Sequence, residues 1–173
     1  VTPAIVGGLT MASMEDDGSI IYKKLNWPND WILTVCVPEY ELPTEISRSV
    51  LPKDVPYADA VFNAQRMAMF VQAVSTHDAE LMKSALKDKL HQPYRMKLVP
   101  GLEKIMENLK HEENVLGCVL SGAGPSILIV SLKNNIDRMK TIVKSTWDDL
   151  NIKAKMFTFH IEENGAHVVS NID

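Results

Sequence analysis

The sequence predicts an α+β fold in which helices cover one face of an antiparallel sheet. Short apolar runs of strand length, separated by turn residues, lie between residues 9 and 37 and again on both sides of residues 121–126. Longer segments with apolar residues at helical spacing lie between these two groups of strands and after the second. A length of 173 residues suits one domain, or one domain and part of another.

The first part of the chain predicts a short helix and three strands. Pro3 suits the first turn of a helix that ends at Gly7-Gly8. Turn residues separate the three apolar runs that follow, which predicts an antiparallel meander. The predicted strands are Leu9–Ser13, Ser19–Leu25 and Trp31–Val37.

The rest of the chain predicts helices followed by a mixture of strands and one more helix. The predicted helices are Thr44–Leu51 with Thr44 as its N-cap, Tyr57–Ser75, Asp78–Leu90 with Asp78 as its N-cap, Gly101–Leu109 and Asn135–Leu150. Pro93-Tyr-Arg95 predicts a helix break. The predicted strands are Val115–Leu120, Ile127–Val130, Ala154–Ile161 and Ala166–Val169, the last two joined by the hairpin dipeptide Asn164-Gly165.

Composition and charge exclude several classes of protein. The net charge of −4 gives no attraction to nucleic acid or to an anionic membrane. No apolar stretch is long and continuous enough for a membrane span. Cys36 and Cys118 lie in apolar runs, which is typical of core residues in a reducing cytosol, so we expect a cytoplasmic protein. No Cys/His cluster has metal-ligand spacing, so no metal ligand is predicted.

The most informative segment is Ser121-Gly-Ala-Gly-Pro-Ser126, which interrupts two apolar strands. A glycine-rich turn of this kind is either a tight hairpin or a loop whose N–H groups converge on an anion. No Gly-Lys-Ser/Thr follows it, and the third glycine of the dinucleotide fingerprint is absent. The residues alone leave both interpretations open.

Arg95 and Arg48 are the candidate anion-binding side chains. Arg95 follows the predicted helix break, where a guanidinium can bind a carboxylate or phosphate with two hydrogen bonds. Arg48 lies one helical turn after Thr44, so both side chains share a face. A solvated arginine at a helix end and an exposed helix face are the alternatives. His91 is interpreted as a surface residue.

Asn63 and Arg66, three residues apart on the longest predicted helix, are interpreted as a hydrogen-bonded structural pair. No nucleophile motif is present. The residues therefore predict anion binding without an evident general base.

Several segments together resemble one family. The loop Ser121–Ser126 resembles the third motif of the GHMP small-molecule kinases. Three further strings resemble the homoserine kinases within that superfamily: Val1-Thr-Pro-Ala-Ile-Val-Gly-Gly8, Thr44-x-x-x-Arg48-x-x-Leu51-Pro52 and Asp88-x-Leu-His-Gln-Pro-Tyr-Arg95-x-x-Leu98-x-Pro-Gly101. The resemblance runs in the expected order from the start of the chain to the loop.

The resemblance implies an ATP-dependent phosphotransferase that uses Mg²⁺ and phosphorylates the side-chain hydroxyl of L-homoserine, a step towards threonine. It implies that Arg48 and Arg95 bind the carboxylate of the amino acid and that Thr44 lies in the substrate site. It implies that a loop of four residues approaches the nucleotide phosphates: Ser121, Gly122, Ala123 and Gly124. A homodimer is the implied candidate assembly.

The sequence departs from the family in one large respect. The family's Pro-x-x-x-Gly-Leu-Gly-Ser-Ser phosphate loop and its Mg²⁺-binding Glu are absent. We therefore expect residues 1–50 to be a remnant of the N-terminal kinase domain and residues 51–173 to be the ferredoxin-like C-terminal domain. Such a piece is expected to be inactive alone. The alternatives are another GHMP small-molecule kinase and a non-catalytic α+β module that binds amino acids.

Overall fold

The computed structural model describes residues 2–134 and 136–168. Within these residues the strands are β1 (Leu9–Met14), β2 (Ile20–Leu25), β3 (Trp31–Pro38), β4 (Val115–Leu120), β5 (Ile127–Leu132) and β6 (Ala154–Phe159). The helices are α1 (Thr2–Val6), α2 (Thr44–Ser49), α3 (Tyr57–Thr76), α4 (Ala79–Ala85), α5 (Gln92–Arg95), α6 (Leu102–Lys110) and α7 (Ile136–Asp148), with a 3₁₀ turn at Met96–Leu98 after α5.

Four strands form one antiparallel sheet in the order β4-β5-β3-β6. Helices connect β3 to β4, residues 121–126 connect β4 to β5, and α7 connects β5 to β6. This is the split β-α-β arrangement of ferredoxin-like folds. The predicted α+β class with an antiparallel sheet is confirmed.

The predicted three-stranded meander is wrong. β1 and β2 form a separate two-stranded sheet, while β3 pairs with β5 on one side and β6 on the other. Burial explains the difference, because alternate residues of β3 are fully buried whereas most of β2 is exposed. A strand with apolar residues on both faces gains more from the centre of a sheet than from its edge.

Helices cover more of the sheet than the sequence predicts. The helices α6 and α7 pack on one face around fully buried side chains, including Ile105, Ile129 and Trp147. The helices α3 and α4 pack on the opposite face, around Trp31 and Leu116. Residues of β3 are buried on both faces of the sheet, so helices pack on both faces. The prediction of helices on one face only is therefore wrong.

Two helix ends show local differences from the predicted boundaries. Asp78 is the N-cap of α4 as predicted, since its side chain accepts a hydrogen bond from the Leu81 N–H at 2.8 Å. The N-cap of α2 is Pro43, and Thr44 is its first helical residue. The helix predicted to run to Leu90 ends at Ala85.

Within the described residues, the hairpin predicted from Ala154–Ile161 and Ala166–Val169 does not form. Residues 161–168 form no strand and instead pack against α1, where Ala166 N–H donates to Ile5 O at 3.0 Å. Gly165 has a φ of +71°, and a Cβ there would lie 2.2 Å from Ile5 O. Glycine is used for this close approach rather than for a hairpin turn. Three residues at which predicted segments begin or end lie outside the described residues: Val1, Asn135 and Val169.

The predicted domain boundary after residue 50 stays a prediction. The pairing of β3 joins part of residues 1–50 to the sheet that residues 51–173 otherwise form. Strand pairing therefore favours a boundary between β2 and β3.

Cys36 and Cys118 are buried free thiols, as predicted for core residues. Burial raises the pKa of both thiols, which keeps them protonated and unreactive at neutral pH. Across residues 2–134 and 136–168, no helix combines the length and hydrophobicity that a membrane crossing requires.

Candidate functional site

Asp88 organises the segment between α4 and α5. Its Oδ2 accepts hydrogen bonds from the backbone N–H groups of His91 at 2.7 Å and Gln92 at 2.5 Å. Its Oδ1 accepts from Leu90 N–H at 3.2 Å and from Asn63 Nδ2 at 2.6 Å. These contacts satisfy N–H groups at the start of α5 that have no helical partner. They also tie the segment to α3.

The hydrogen bonds to Asp88 favour its charged form. Burial alone would raise the pKa of this carboxyl group, but the bonds from Asn63 and from three backbone N–H groups outweigh burial and hold the pKa below its ordinary value. Asp88 is therefore an anion throughout the physiological pH range.

We expect Asp88→Asn to destabilise the protein by about 2–3 kcal/mol at pH 5, because three backbone N–H groups and the Asn63 amide lose a charged acceptor. The depressed pKa makes this contribution complete above the ordinary aspartate pKa of about 4 and lost as the pH falls through the lower native value. The stability difference between wild type and variant should thus shrink from pH 5 towards pH 3. Urea unfolding of both proteins across this range measures the difference.

His91 Nδ1 lies 3.7 Å from Asp88 Oδ1, so this imidazole is also close to the carboxylate. A stability difference that stays constant from pH 5 to pH 3 contradicts the proposed role of the Asp88 charge.

Arg95 connects α2 to the glycine loop. Its Nε donates to Ser47 O at 3.0 Å, and its Nη1 donates to Gly122 O at 3.3 Å. Ser47 O belongs to the last turn of α2, where carbonyl groups lack a helical partner. The remaining N–H groups of the guanidinium make no hydrogen bond within the described residues. They are available to an anion.

Arg48 and Thr44 lie on the same helix that Arg95 contacts. Arg48 directly follows Ser47, so the backbone contact of Arg95 brings both cations to one end of α2. Arg48 is exposed, and among the described residues its guanidinium makes no ion pair or hydrogen bond. Thr44 is exposed one turn earlier. The structure thus brings the three predicted substrate residues into one region.

The glycine loop presents free backbone donors. Ser121 N–H donates to Ser126 O at 2.9 Å, and Gly124 N–H donates to Ser121 O at 3.3 Å. The N–H groups of Gly122 and Ala123 donate to no group within the part of the chain that the structure describes. Gly122 has a φ of +65°, which favours glycine. The loop is therefore closed on itself and leaves the Gly122 and Ala123 donors for an anion, which fits a phosphate group.

A cleft of about 450 Å³ lies between α3, the segment around Asp88 and the glycine loop. Its charged and polar side chains include Arg66, Lys87, Asp88, Gln92 and Arg95, and most of its wall is apolar. The lining carries more basic than acidic side chains. This balance suits an anionic ligand.

Sequence reasoning missed two residues of this region and misassigned a pair. Asp88 and Gln92 occur in the quoted family string, but their roles depend on backbone contacts that no spacing rule reveals. The predicted pairing of Asn63 with Arg66 is wrong, because Asn63 binds Asp88 while Arg66 donates to Ser84 Oγ at 2.9 Å. Both side chains instead hold the segment that follows α3.

The described residues show no cluster of three or more His, Cys, Asp or Glu side chains that could hold a metal ion. The basic side chains and backbone donors suit binding and stabilisation of negative charge. This arrangement favours a reaction in which positioning and charge stabilisation dominate, as in phosphoryl transfer.

Comparison with known proteins identifies the class. Residues 70–149 match the family model described as GHMP kinases C terminal. The chain is 39% identical to a homoserine kinase of Caldicellulosiruptor saccharolyticus over 171 residues, covering 98% of this chain and 54% of that protein. It is 45% identical to a homoserine kinase of Aquifex aeolicus over 134 residues, covering 78% of this chain and 44% of that protein. The chain therefore contains the C-terminal domain of the GHMP kinases.

Within that class, these two curated relatives are homoserine kinases. The crystal structure of homoserine kinase from Cytophaga hutchinsonii matches with a TM-score of 0.86 and 25% identity, covering 95% of this chain and 52% of that one. A Streptococcus pneumoniae phosphomevalonate kinase, solved with phosphomevalonate and AMPPNP, shares the fold with a TM-score of 0.58 and 14% identity. The match covers 84% of this chain and 44% of that one. The chain spans about half the length of the curated relatives it matches.

Proposed function

We propose that this chain supplies the amino-acid carboxylate site and one nucleotide-binding loop of a homoserine kinase. The reaction would transfer the γ-phosphoryl group of ATP to the side-chain hydroxyl of L-homoserine, giving ADP and O-phospho-L-homoserine. The observation that supports this most directly is the double contact of Arg95, with Ser47 O beside Arg48 and with Gly122 O in the loop. One side chain thus lies between the two proposed binding regions.

The proposed carboxylate site consists of Arg95, Arg48 and Thr44. The free N–H groups of Arg95 suit a planar carboxylate, and Arg48 adds a second positive charge. Thr44 offers a hydroxyl group on the same helix face as Arg48. Fixing the carboxylate would hold the distant hydroxyl of the amino acid at a constant distance from the loop, which lowers the entropy cost of reaction.

The proposed phosphate loop consists of Ser121, Gly122, Ala123 and Gly124. The free N–H groups of Gly122 and Ala123 can donate to phosphate oxygens, and Arg95 stabilises the loop from the side of Gly122 O. Mg²⁺ is part of the proposed reaction, but the described residues offer no cluster of ligands for it, so no step is assigned to the metal.

The direct test is an ADP-release assay of the natural full-length protein with ATP and a panel of acceptors. We expect turnover with L-homoserine, and little or none with mevalonate or phosphomevalonate. Homoserine amide is the matched control, because it keeps the hydroxyl group and lacks the carboxylate. Preference for a mevalonate-type acceptor, or equal turnover of homoserine and its amide, contradicts the proposal.

We also propose that the protein is cytoplasmic, as its unpaired core cysteines indicate, and that it assembles as a homodimer, as the family resemblance implies. Light scattering on the purified protein measures the assembly.

A further inference from the structure

We propose that Gln92 is a positioning residue that fixes the glycine loop Ser121–Ser126 for nucleotide binding. The inference rests on the proposed function, because it assigns that loop to the nucleotide. Gln92 would not touch the ligand. It would set the direction of the loop donors that do.

The contact that carries the inference joins α5 to the start of the loop. Gln92 Oε1 accepts a hydrogen bond from Leu120 N–H at 2.9 Å. Leu120 is the last residue of β4, which lies at an edge of the four-stranded sheet. Backbone groups on the outer side of an edge strand lack a strand partner. The Gln92 side chain satisfies one of them at the residue before the loop.

Gln92 is itself held in place. Its backbone N–H donates to Asp88 Oδ2 at 2.5 Å, its carbonyl accepts from Met96 N–H, and Asp88 is bound to Asn63 on α3. A continuous series of hydrogen bonds therefore runs from α3 to the first residue before the loop. A side chain with a fixed backbone on both sides can define the position of its partner.

The helix α5 contacts the loop region twice. Gln92 and Arg95 are three residues apart, so they lie on one face of α5. Gln92 binds Leu120 N–H just before the loop, and Arg95 binds Gly122 O within it. Ser121, between these two contacts, is bound to Ser126 O across the loop. The contacts fix the backbone that leads into the free N–H groups of Gly122 and Ala123.

The location of the contact predicts which ligand depends on it. The loss of Gln92 Oε1 frees the backbone beside the loop donors, whereas Arg48 and Thr44 on α2 keep their places. We therefore expect nucleotide affinity to fall more than amino-acid affinity. The loss of a residue that merely stabilises the fold would lower the affinities for both ligands together.

The test compares three variants of the natural full-length protein. Gln92→Met keeps the length of the side chain and removes the acceptor, Gln92→Glu keeps an acceptor oxygen, and Lys97→Met is an exposed control on the adjoining turn. Calorimetric titration measures the affinities for AMPPNP and for L-homoserine. Hydrogen exchange measures the protection of residues 120–124.

We expect Gln92→Met to lower the affinity for AMPPNP about tenfold, which is the equivalent of one hydrogen bond. The affinity for L-homoserine should change by less than about threefold. Exchange should accelerate at residues 120–124 and stay unchanged in α6 and α7. Gln92→Glu should restore most of the nucleotide affinity, and Lys97→Met should match wild type.

Unchanged AMPPNP affinity in Gln92→Met overturns the inference. An equal loss of affinity for both ligands, or faster hydrogen exchange throughout the molecule, also overturns the inference, because either result would show a general structural role. Failure of the wild type to bind L-homoserine while it binds AMPPNP contradicts the proposed function instead, and the AMPPNP and exchange data still decide the role of Gln92.

Discussion

Replacement of Arg95 by alanine is expected to lower kcat/KM for L-homoserine in the natural full-length protein by about 30-fold to about 1,000-fold. This loss corresponds to about 2–4 kcal/mol, the range for removing a charged hydrogen-bond partner. The variant loses the proposed carboxylate ligand and also the contacts with Ser47 O and Gly122 O. Arg95→Lys should recover little, because an ammonium group cannot make these contacts and bind a carboxylate in a planar pair.

The Arg48→Ala variant tests substrate binding separately from protein stability. Arg48 makes no hydrogen bond or ion pair within the described residues, so its loss should reduce kcat/KM without lowering the free energy of unfolding. Arg95→Ala should reduce both. Steady-state kinetics and urea unfolding of the two variants measure this contrast, with Lys97→Ala as the exposed control. An unchanged KM for L-homoserine in Arg95→Ala or in Arg48→Ala would refute the assignment of that residue to the carboxylate.

Replacement of Trp147 by alanine is expected to destabilise the protein by about 3–5 kcal/mol. Trp147 is fully buried between the sheet and α6, and its Nε1 donates to Pro100 O at 3.0 Å. The variant leaves a large cavity and an unpaired carbonyl group. Urea unfolding followed by far-ultraviolet circular dichroism measures the loss, because this signal does not depend on tryptophan fluorescence.

Trp147→Phe is the matched control for the cavity. It keeps most of the ring volume and removes the hydrogen bond, so a loss of about 1–2 kcal/mol is expected. If the alanine and phenylalanine variants are equally stable, packing around Trp147 does not hold α7 on the sheet, and the proposed role of this core is wrong.

Local signals predicted most of the secondary structure. The amphipathic spacing of α3 and α7 and the apolar runs of β4 and β5 lie within a residue or two of the observed elements. The partners of β3 could not be predicted, because they come from sequence more than 90 residues later. The end of α4 was predicted too late. Asp88 accepts hydrogen bonds from backbone N–H groups of the segment that follows, so this segment leaves the helical path before Leu90.

In the candidate site, too, local signals predicted some residues, whereas contacts between distant parts of the sequence could not be predicted. Arg95, Arg48 and the glycine loop were predicted from residue type, a helix break and a family resemblance. Gln92 was quoted in the same string without a role, because its importance lies in a contact with Leu120 N–H, 28 residues away. Spacing along a helix indicates which side chains share a face, but it does not indicate which strand end that face meets.

The central position of β3 determines how late the sheet can form. Trp31 pairs with Leu132, and Leu33 pairs with Phe159, so the strand at the centre is made long before either neighbour leaves the ribosome. Both pairings close long loops, and non-local contacts of this kind slow folding. The helices between them can form early, but the sheet that orders them awaits β6. During synthesis the apolar faces of β3 stay exposed until its partner strands are made, and exposed apolar surface of this kind favours aggregation of the unfinished chain.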